Sequence, residues 1–181
     1  MSGPGGTTDG QAVRAILAGD TERYGELVTR YRDRYARYAA RMLGSRDAAE
    51  DAVQDAFVRA YDQLAQCRDP DNFVGWFFLI LRNRCFAERR KSKEVVPLEA
   101  AGAVASAERA EVPVEADEQR RALQHALLEL TAEQREVFVL KHVEGLSYSE
   151  IAERLKTSVP SLKMRMHRAY DRLREQLRDR T

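Results

Sequence analysis

The length, composition and charge of this chain leave room for one or two small domains and exclude a membrane-spanning protein. It has 181 residues, of which 44% are hydrophobic and 33% are charged. Its longest apolar run, from Phe73 to Leu81, is far too short to cross a bilayer. The N-terminal sequence does not have the pattern of a signal peptide. Cys67 and Cys85 show no metal-ligand spacing, and a reducing, cytoplasmic location is their simplest explanation. No nucleophile–base pair, P-loop or metal-ligand spacing occurs in the sequence, so we expect no catalytic site, metal or cofactor, and no direct membrane insertion.

The charge is unevenly distributed along the chain and indicates three blocks. The net charge is +2 over residues 1–91, −5 over 92–118 and +4 over 119–181. The acidic middle block contains two prolines and no apolar stripe, which is typical of a flexible linker. We therefore predict an all-α chain with a disordered tail (1–10), a helical domain (11–91), an acidic flexible linker (92–118) and a second helical domain (119–181).

Two helices are predicted in the first part of the N-terminal domain. The first begins at Asp20, whose side chain is expected to cap it, and runs to about Leu43, with Gly44 just beyond its end. The second begins at Asp47. Its apolar positions predict a core face made of Ala49, Ala52, Val53, Ala56, Phe57 and Ala60.

The other face of the second helix is acidic. Carboxylates recur one turn apart on it, and its polar residues are Asp47, Glu50, Asp51, Gln54 and Asp55. Like charges at this spacing destabilise a helix by roughly a few tenths of a kcal/mol each. The helix dipole offsets this cost in the first turn but not at Asp55. Either Asp55 pairs with Arg59 on its own helix, or the acidic face binds a basic partner.

A short loop, Cys67–Asn72, precedes a third helix that is predicted to extend to Lys91. The first half of this helix is apolar and aromatic, and the second half is basic. Aromatic rings beside cations suit single-stranded nucleic acid, because bases stack on rings while phosphates meet the charges. The same rings also fit a buried core, and we expect most of them to lie there.

Residues 145–170 predict two short helices joined by a tight turn. Ser147 and Glu150 form a capping box at the start of the first helix. Ser158 can cap the second helix, and Pro160 falls in its first turn, where a missing N–H group costs little. The second helix has an apolar stripe of Leu162, Met166, Ala169 and Leu173. This is the helix-turn-helix pattern, whose second helix enters the DNA major groove; the alternative is an ordinary amphipathic helix with a solvated basic face.

In that order, these patterns resemble a bacterial sigma factor. The runs DAAEDAVQDAFVRAY, NFVGWFFLILRNR and LTAEQREVFVLKHVEGLSYSEIAERLKTSVPSLKMRMHRA, with the linker between the last two, are similar to the small extracytoplasmic-function group of the sigma-70 family. The resemblance covers about residues 11–91 and 119–178, and it implies a region 2 helical bundle and a region 4 helix-turn-helix. The last run alone also resembles LuxR-type regulators. The alternative is therefore a two-domain regulator that binds duplex DNA as a dimer.

The resemblance implies partners and contact residues. Core RNA polymerase would be bound at its β′ clamp helices and β flap, and the clamp helices would meet Glu50, Asp51, Gln54 and Asp55. The −10 promoter element would be read by Asp69, Asp71, Asn72, Phe73, Trp76, Arg82, Asn83, Arg84, Arg90 and Lys91. The −35 element would be read by Ser158, Ser161, Lys163, Met164, Arg165, His167 and Arg168. The resemblance further implies a nucleoid-associated protein without enzymatic activity that an anti-sigma factor holds inactive, in some relatives at the membrane.

The chain departs from the family pattern at four positions. Leu79 and Ala87 stand where many relatives have Arg and Asp, so contacts of that helix beyond Asn83 are less strongly implied. Lys156 replaces the usual Gly of the turn, where a left-handed conformation costs a non-Gly residue roughly 1 kcal/mol. Met164 replaces a typical Ser on the groove side, and this predicts an atypical −35 preference.

Overall fold

The computed structural model describes residues 7–95 and 122–178, and the side chains of 7–92 and 122–178. Within these ranges the regular structure is helical, which confirms the predicted all-α class. The helices are α1 (Asp9–Leu17), α2 (Tyr24–Leu43), α3 (Arg46–Asp62), α4 (Phe73–Val95), α5 (122–128), α6 (Ala132–His142), α7 (Tyr148–Leu155) and α8 (Val159–Arg178). None of the described helices is both long enough and apolar enough to cross a membrane.

The chain divides into two compact units. The first unit comprises Met1–Ala40 and Asp47–Lys91, and the second comprises Arg41–Arg46 and Ser92–Thr181. The predicted linker, 92–118, lies outside the described residues apart from the last residues of α4.

Helix α1 begins inside the segment that was predicted to be a disordered tail. Thr8 caps it: the Thr8 hydroxyl accepts a hydrogen bond from the Gln11 amide at 3.2 Å, and the Gln11 side chain accepts one from the Thr8 amide at 2.9 Å. This capping box satisfies two amides that a helix start would otherwise leave without partners. The predicted tail is therefore wrong for residues 9 and 10, while residues 1–6 lie outside the described part of the chain.

Helix α2 starts later than predicted. The side chain of Asp20 makes no capping hydrogen bond; its carboxylate pairs with Arg23 Nε at 2.9 Å, and a single 3-10 turn, Thr21–Arg23, comes before Tyr24. The predicted cap is therefore wrong, because this local ion pair uses the Asp20 carboxylate. The predicted end is confirmed: α2 ends at Leu43, and Gly44 has a φ of +75°, a conformation that glycine adopts without a steric penalty.

The core of the first unit forms where α2, α3 and α4 pack their aromatic and small apolar residues together. The predicted core face of α3 is buried throughout, which confirms its helical phase. From α4, Phe77 is fully buried, with its ring centroid 4.3 Å from that of Phe57 and 4.9 Å from that of Tyr35. Because these side chains occupy one face of α3 and α4, the polar faces of both helices are left on the surface.

The second unit contains the predicted helix-turn-helix as α7 and α8. The capping box is confirmed: Ser147 Oγ accepts from the Glu150 amide at 3.2 Å, and the Glu150 carboxylate accepts from the Ser147 amide at 2.7 Å. Ser158 Oγ accepts from the Ser161 amide at 3.3 Å at the start of α8. The predicted stripe is buried in full: Leu162, Met166, Ala169 and Leu173.

Candidate nucleic-acid interface

Helix α8 presents a polar face on the side opposite its buried stripe. Met164 is 56% exposed, and it lies two residues from both Leu162 and Met166, which are buried. The other side chains predicted to read duplex DNA are exposed or half-buried: Ser158, Ser161, Lys163, Arg165, His167 and Arg168. This confirms the predicted phase of the helix, and it puts hydroxyl, cationic and thioether groups on one side of its N-terminal half.

The turn between α7 and α8 sets the direction of this face. Lys156 has φ 50° and ψ 49°, a left-handed conformation that non-glycine residues rarely adopt. At the other end of α7, the hydrogen bonds from Ser147 lower the pKa of Glu150, so that its carboxylate stays ionised within the capping box. Later on α8, His167 Nδ1 lies 2.8 Å from the Asp171 carboxylate, which ties the imidazole to the next turn of its own helix.

An aromatic cluster joins α6 to α8 behind the reading face. The hydroxyl of Tyr170 lies 2.7 Å from His142 Nε2, and the ring of Phe138 packs against both side chains. Lys141 also stands with its ammonium 5.2 Å from the ring centroid of Tyr148 at the start of α7. These contacts connect α6 to both helices of the helix-turn-helix and stabilise the position of α8.

In the first unit, most residues predicted to meet single-stranded DNA lie on the surface of α4 and of the loop before it. The exposed side chains are those of Asp69, Asp71, Asn72, Asn83, Arg90 and Lys91, and the half-buried ones are those of Trp76, Arg82 and Arg84. Phe73 is different, because it is fully buried against the rings of Tyr31, Trp76 and Phe77. The prediction that Phe73 contacts DNA is therefore wrong in this structure; its ring anchors the start of α4 in the core.

The cations of α4 are held by neighbouring groups. The guanidinium of Arg82 stacks on the Phe86 ring at 4.3 Å from its centroid. Arg84 donates to the Asp55 carboxylate at 2.8 Å and to the Glu88 carboxylate at 3.0 Å, and its side chain is only 17% exposed. These contacts fix the directions of two cations on either side of Asn83.

The loop Cys67–Asn72 is also ordered by local contacts. Asp69 caps its 3-10 turn by accepting from the Asp71 amide at 3.2 Å, and the Cys67 thiol donates to the Asp69 carbonyl at 3.4 Å. Burial raises the pKa of Cys67, which keeps this thiol protonated. Both oxygens of Asp71 accept hydrogen bonds from Arg14 of α1, and these bonds lower the pKa of Asp71.

The acidic face of α3 lies beside a groove. All four side chains predicted to meet a basic partner are exposed: Glu50, Asp51, Gln54 and Asp55. Between α2 and α3 runs a groove of about 720 Å³, with Glu50, Asp51 and Gln54 at its edge and Val28, Val53 and Phe57 among its apolar residues. Asp55 pairs with Arg84, on another helix, and not with Arg59, which was one of the two alternatives that the sequence left open.

Sequence reasoning missed two features of these surfaces. One is the pair of apolar side chains that α3 leaves exposed in the groove, Val58 at 55% and Tyr61 at 42%. Their i, i+3 spacing next to the acidic residues was a signal that could have been used. The other is α1, whose start was marked by Thr8 and Gln11 at capping-box spacing. In the described residues, no group of three or more His, Cys, Asp or Glu side chains could hold a metal ion.

Each of the two units contains a segment that matches a known protein family. Residues 27–95 match the family model "Sigma-70 region 2", and residues 120–173 match "Sigma-70, region 4". The ECF RNA polymerase sigma factor SigW of Bacillus subtilis is 33% identical over 178 residues, which cover 92% of this chain and 95% of SigW. The match to region 2 disfavours the LuxR-like alternative, whose resemblance rested on the last part of the chain alone.

Two solved structures are similar over most of the chain. One is CnrH in complex with the cytosolic domain of CnrY, with a TM-score of 0.66, 27% identity, and coverage of 96% of this chain and 99% of CnrH. The other is the sigma factor RpoE in complex with the anti-sigma factor NepR from Bartonella quintana, with a TM-score of 0.64, 26% identity, and coverage of 86% of this chain and 96% of RpoE.

Proposed function

The chain belongs to the extracytoplasmic-function sigma factors of the sigma-70 family, and from this premise we propose which of its surfaces meets each partner during promoter recognition. A sigma factor is an initiation factor that gives RNA polymerase its promoter specificity. We assign no catalytic role to its own side chains. We assign a different partner to each of the helices α3, α4 and α8.

The acidic face of α3 is the docking surface for core polymerase. Its exposed carboxylates suit the basic face of a polymerase helix, since complementary charge speeds association and excludes wrong partners. The adjacent groove, with Val58 and Tyr61 exposed, offers apolar area to the same helix. We assign this surface to the β′ clamp helices, with Glu50, Asp51 and Gln54 as the charged and polar contacts. Asp55 contributes less directly because its carboxylate is engaged by Arg84.

Helix α4 and the loop before it read and hold the −10 element. Asn72 and Asn83 are exposed and can bond the edge of an unstacked base, while Trp76 offers ring surface for stacking. Cations on this surface neutralise phosphates, and they are Arg82, Arg90 and Lys91. Arg84 contributes less directly, because Asp55 and Glu88 already engage its guanidinium. This combination suits a separated strand better than a duplex, whose bases are already stacked.

Helix α8 reads the −35 element as duplex DNA. In a helix-turn-helix the N-terminal residues of the second helix contact base edges. Here those residues include Ser158, Ser161 and Met164, which supply two hydroxyls and one apolar contact. The cations flank them and suit phosphates. The β flap was the other predicted contact with core polymerase, and we assign it to the second unit because the clamp helices are assigned to α3 of the first.

An anti-sigma partner and a cytoplasmic location complete the proposal. RpoE was solved with the anti-sigma factor NepR, and CnrH with the cytosolic domain of CnrY. By this similarity we assign the present chain a partner of the same kind, which would hold it off the polymerase. If that partner is a membrane protein, the chain is retained at the membrane surface until it is released to the nucleoid.

One observation carries the assignment. On α3, α4 and α8, apolar residues of each helix form the core while most residues predicted to meet a partner lie on the opposite, accessible side. The test is reconstitution with core polymerase using Asp51→Lys, Asn83→Ala and Arg168→Ala. We expect the first variant to lose core affinity, the second to bind core but fail to open the −10 region, and the third to lose affinity for the −35 duplex. If all three variants were defective in the same step, the assignment of a different partner to each helix would be wrong.

A further inference from the structure

The loop Cys67–Asn72 is held from outside by helix α1. Arg14 donates two hydrogen bonds to Asp71, at 3.0 Å to Oδ1 and 3.3 Å to Oδ2. Two parallel bonds from a planar guanidinium fix the orientation of a carboxylate as well as its position. The backbone of α1 approaches the same group at Gly10, where an added Cβ would lie 1.8 Å from Asp71 Oδ1. Glycine at position 10 therefore leaves the space in which the Asp71 carboxylate sits.

Helix α1 is itself firmly attached to α2. The Asp9 carboxylate accepts hydrogen bonds from the Arg30 guanidinium and the Tyr31 hydroxyl. Arg30 also donates to the Thr7 carbonyl at 2.9 Å. The apolar face of α1 is buried in the unit, with Val13 fully buried. Because the helix is fixed at its start and along one face, Arg14 projects from a rigid support.

The other side of the loop is fixed to α4. Phe73 is buried directly after the loop, and the side-chain oxygen of Asn72 lies where a Cβ on Gly75 would come within 2.5 Å of it. Asp71 is thus held on the α1 side and Asn72 on the α4 side. The two neighbouring polar residues of the loop therefore have different surroundings and suit different tasks.

The Arg14–Asp71 pair is too exposed to be explained by stability. Its side chains are 53% and 67% exposed, and ion pairs at such exposure contribute little to folding. The pair does neutralise a carboxylate on a surface assigned to DNA, where an unpaired negative charge would repel phosphates. Arg14 precedes the segment matched as sigma-70 region 2, which covers residues 27–95, whereas Asp71 lies within it.

We propose that Arg14 and Gly10 are positioning residues for −10 recognition: they hold Asp71, and through it the loop Cys67–Asn72, in the conformation that presents Asn72 to the separated strand. This proposal rests on the assignment of the loop to the −10 element. It changes the role of Asp71 from a base contact to a support. It also makes α1 one of the elements that determine −10 specificity.

The test uses the full chain with core polymerase and a promoter library randomised over the −10 element, with the −35 element held constant. Arg14→Ala removes both hydrogen bonds to Asp71. In Gly10→Ala the added methyl group would lie 1.8 Å from Asp71 Oδ1 and 2.9 Å from Arg14 Nη2, so it displaces both side chains of the pair while both charges are kept. Each variant should lower the preference for the best −10 base by about fivefold, which is within the roughly 5- to 150-fold that one direct base contact supplies. The thermal midpoint should not fall in Gly10→Ala, because alanine is the better helix former. A loss of discrimination without a loss of stability is a result that a merely structural role would not produce.

Three control variants separate the outcomes. Arg23→Ala removes exposed ion pairs to Asp20 and Glu26 and one hydrogen bond to the Thr7 hydroxyl. It leaves the contacts of Arg30 and Tyr31 that hold α1, and should keep the −10 preference. Asn72→Ala and Asn83→Ala test the proposed function itself. If both Asn variants lose −10 discrimination while Arg14→Ala and Gly10→Ala retain it, the positioning role is wrong and the proposed function stands. If neither Asn variant changes the preference, the loop does not meet the −10 element, and the proposed function fails together with this inference.

Discussion

Asp55 on α3 accepts a hydrogen bond from Arg84 on α4 at 2.8 Å, and Arg84 also bonds Glu88 one turn further along α4. The carboxylate belongs to the face assigned to polymerase, and the guanidinium belongs to the face assigned to DNA. The two surfaces of the first unit are therefore joined by a direct ion pair. A change in one of these residues alters the surroundings of the other.

The coupling between these two residues can be measured by a double-mutant cycle. We expect Asp55→Ala, Arg84→Ala and the double variant to give a coupling of roughly 0.2–1 kcal/mol, the range for partly exposed pairs. Trp76 is the only tryptophan of the chain and lies in the first unit, so its fluorescence in urea reports the unfolding of this unit. The matched cycle of Asp51 with Arg84 should give a coupling near zero, and an equal value in both cycles would show that the Asp55–Arg84 contact is not specific.

Core docking is tested most cleanly at Asp51, which is exposed beside the groove. Asp51→Lys should weaken binding to core polymerase by roughly tenfold or more, since it places like charges opposite each other. The loss should shrink at high salt because exposed charges are screened. Binding would be followed by fluorescence anisotropy of the labelled chain.

The control for this experiment is Asp33→Lys, an equal charge reversal at an exposed position of α2. It should leave core affinity nearly unchanged. An equal loss in both variants would mean that the net charge of the unit matters, and that the acidic face of α3 is not the docking surface.

The turn before α8 contains a residue in an unfavourable conformation. Lys156 has a φ of 50°, and glycine adopts this region without the steric cost that other residues bear. We expect Lys156→Gly to stabilise the second unit by about 0.5–1 kcal/mol, after allowing for the greater freedom of glycine in the unfolded chain. Amide hydrogen exchange in α7 and α8 of the full chain would measure the change. Lys163→Gly, in the interior of α8, should do the opposite by about the same amount; destabilisation at both positions would show that the left-handed turn is not required.

Several of these features could be predicted from local sequence, and others could not. The Ser147–Glu150 capping box and the buried stripe of α8 depend on residues within two or three turns of one another, so their spacing alone specified them. The pairs Arg14–Asp71 and Asp55–Arg84 join residues 57 and 29 positions apart, and no local pattern indicates which cation will reach which carboxylate. The family resemblance implied that Phe73 contacts DNA, whereas its burial depends on how the start of α4 packs against Tyr31 of α2.

Lys163 and Met164 are neighbours on the reading face of α8, and only Lys163 is charged. We therefore expect substitutions at the two positions to change the salt dependence of −35 binding differently. Lys163→Ala should weaken −35 binding for all sequences and reduce the salt slope by about 1, as expected for one lost phosphate contact. Met164→Ser should leave the salt slope unchanged. It should change the difference in binding free energy between the preferred base and the others at one −35 position by about 1–3 kcal/mol. Holoenzyme binding to a −35 library at several salt concentrations measures both quantities. A uniform loss of affinity in Met164→Ser, without a change in preference, would place this side chain off the groove.

The central claim, that the two units read two promoter elements only as part of a polymerase complex, is tested most directly by sequencing random DNA fragments that the chain retains with and without core polymerase. The account predicts that core polymerase is required, and that the retained fragments share two separate motifs, a −35 and a −10 element, with a constant spacing. Retention of a single palindromic site by the chain alone, equally strong without core polymerase, would contradict the account and support a dimeric duplex-binding regulator.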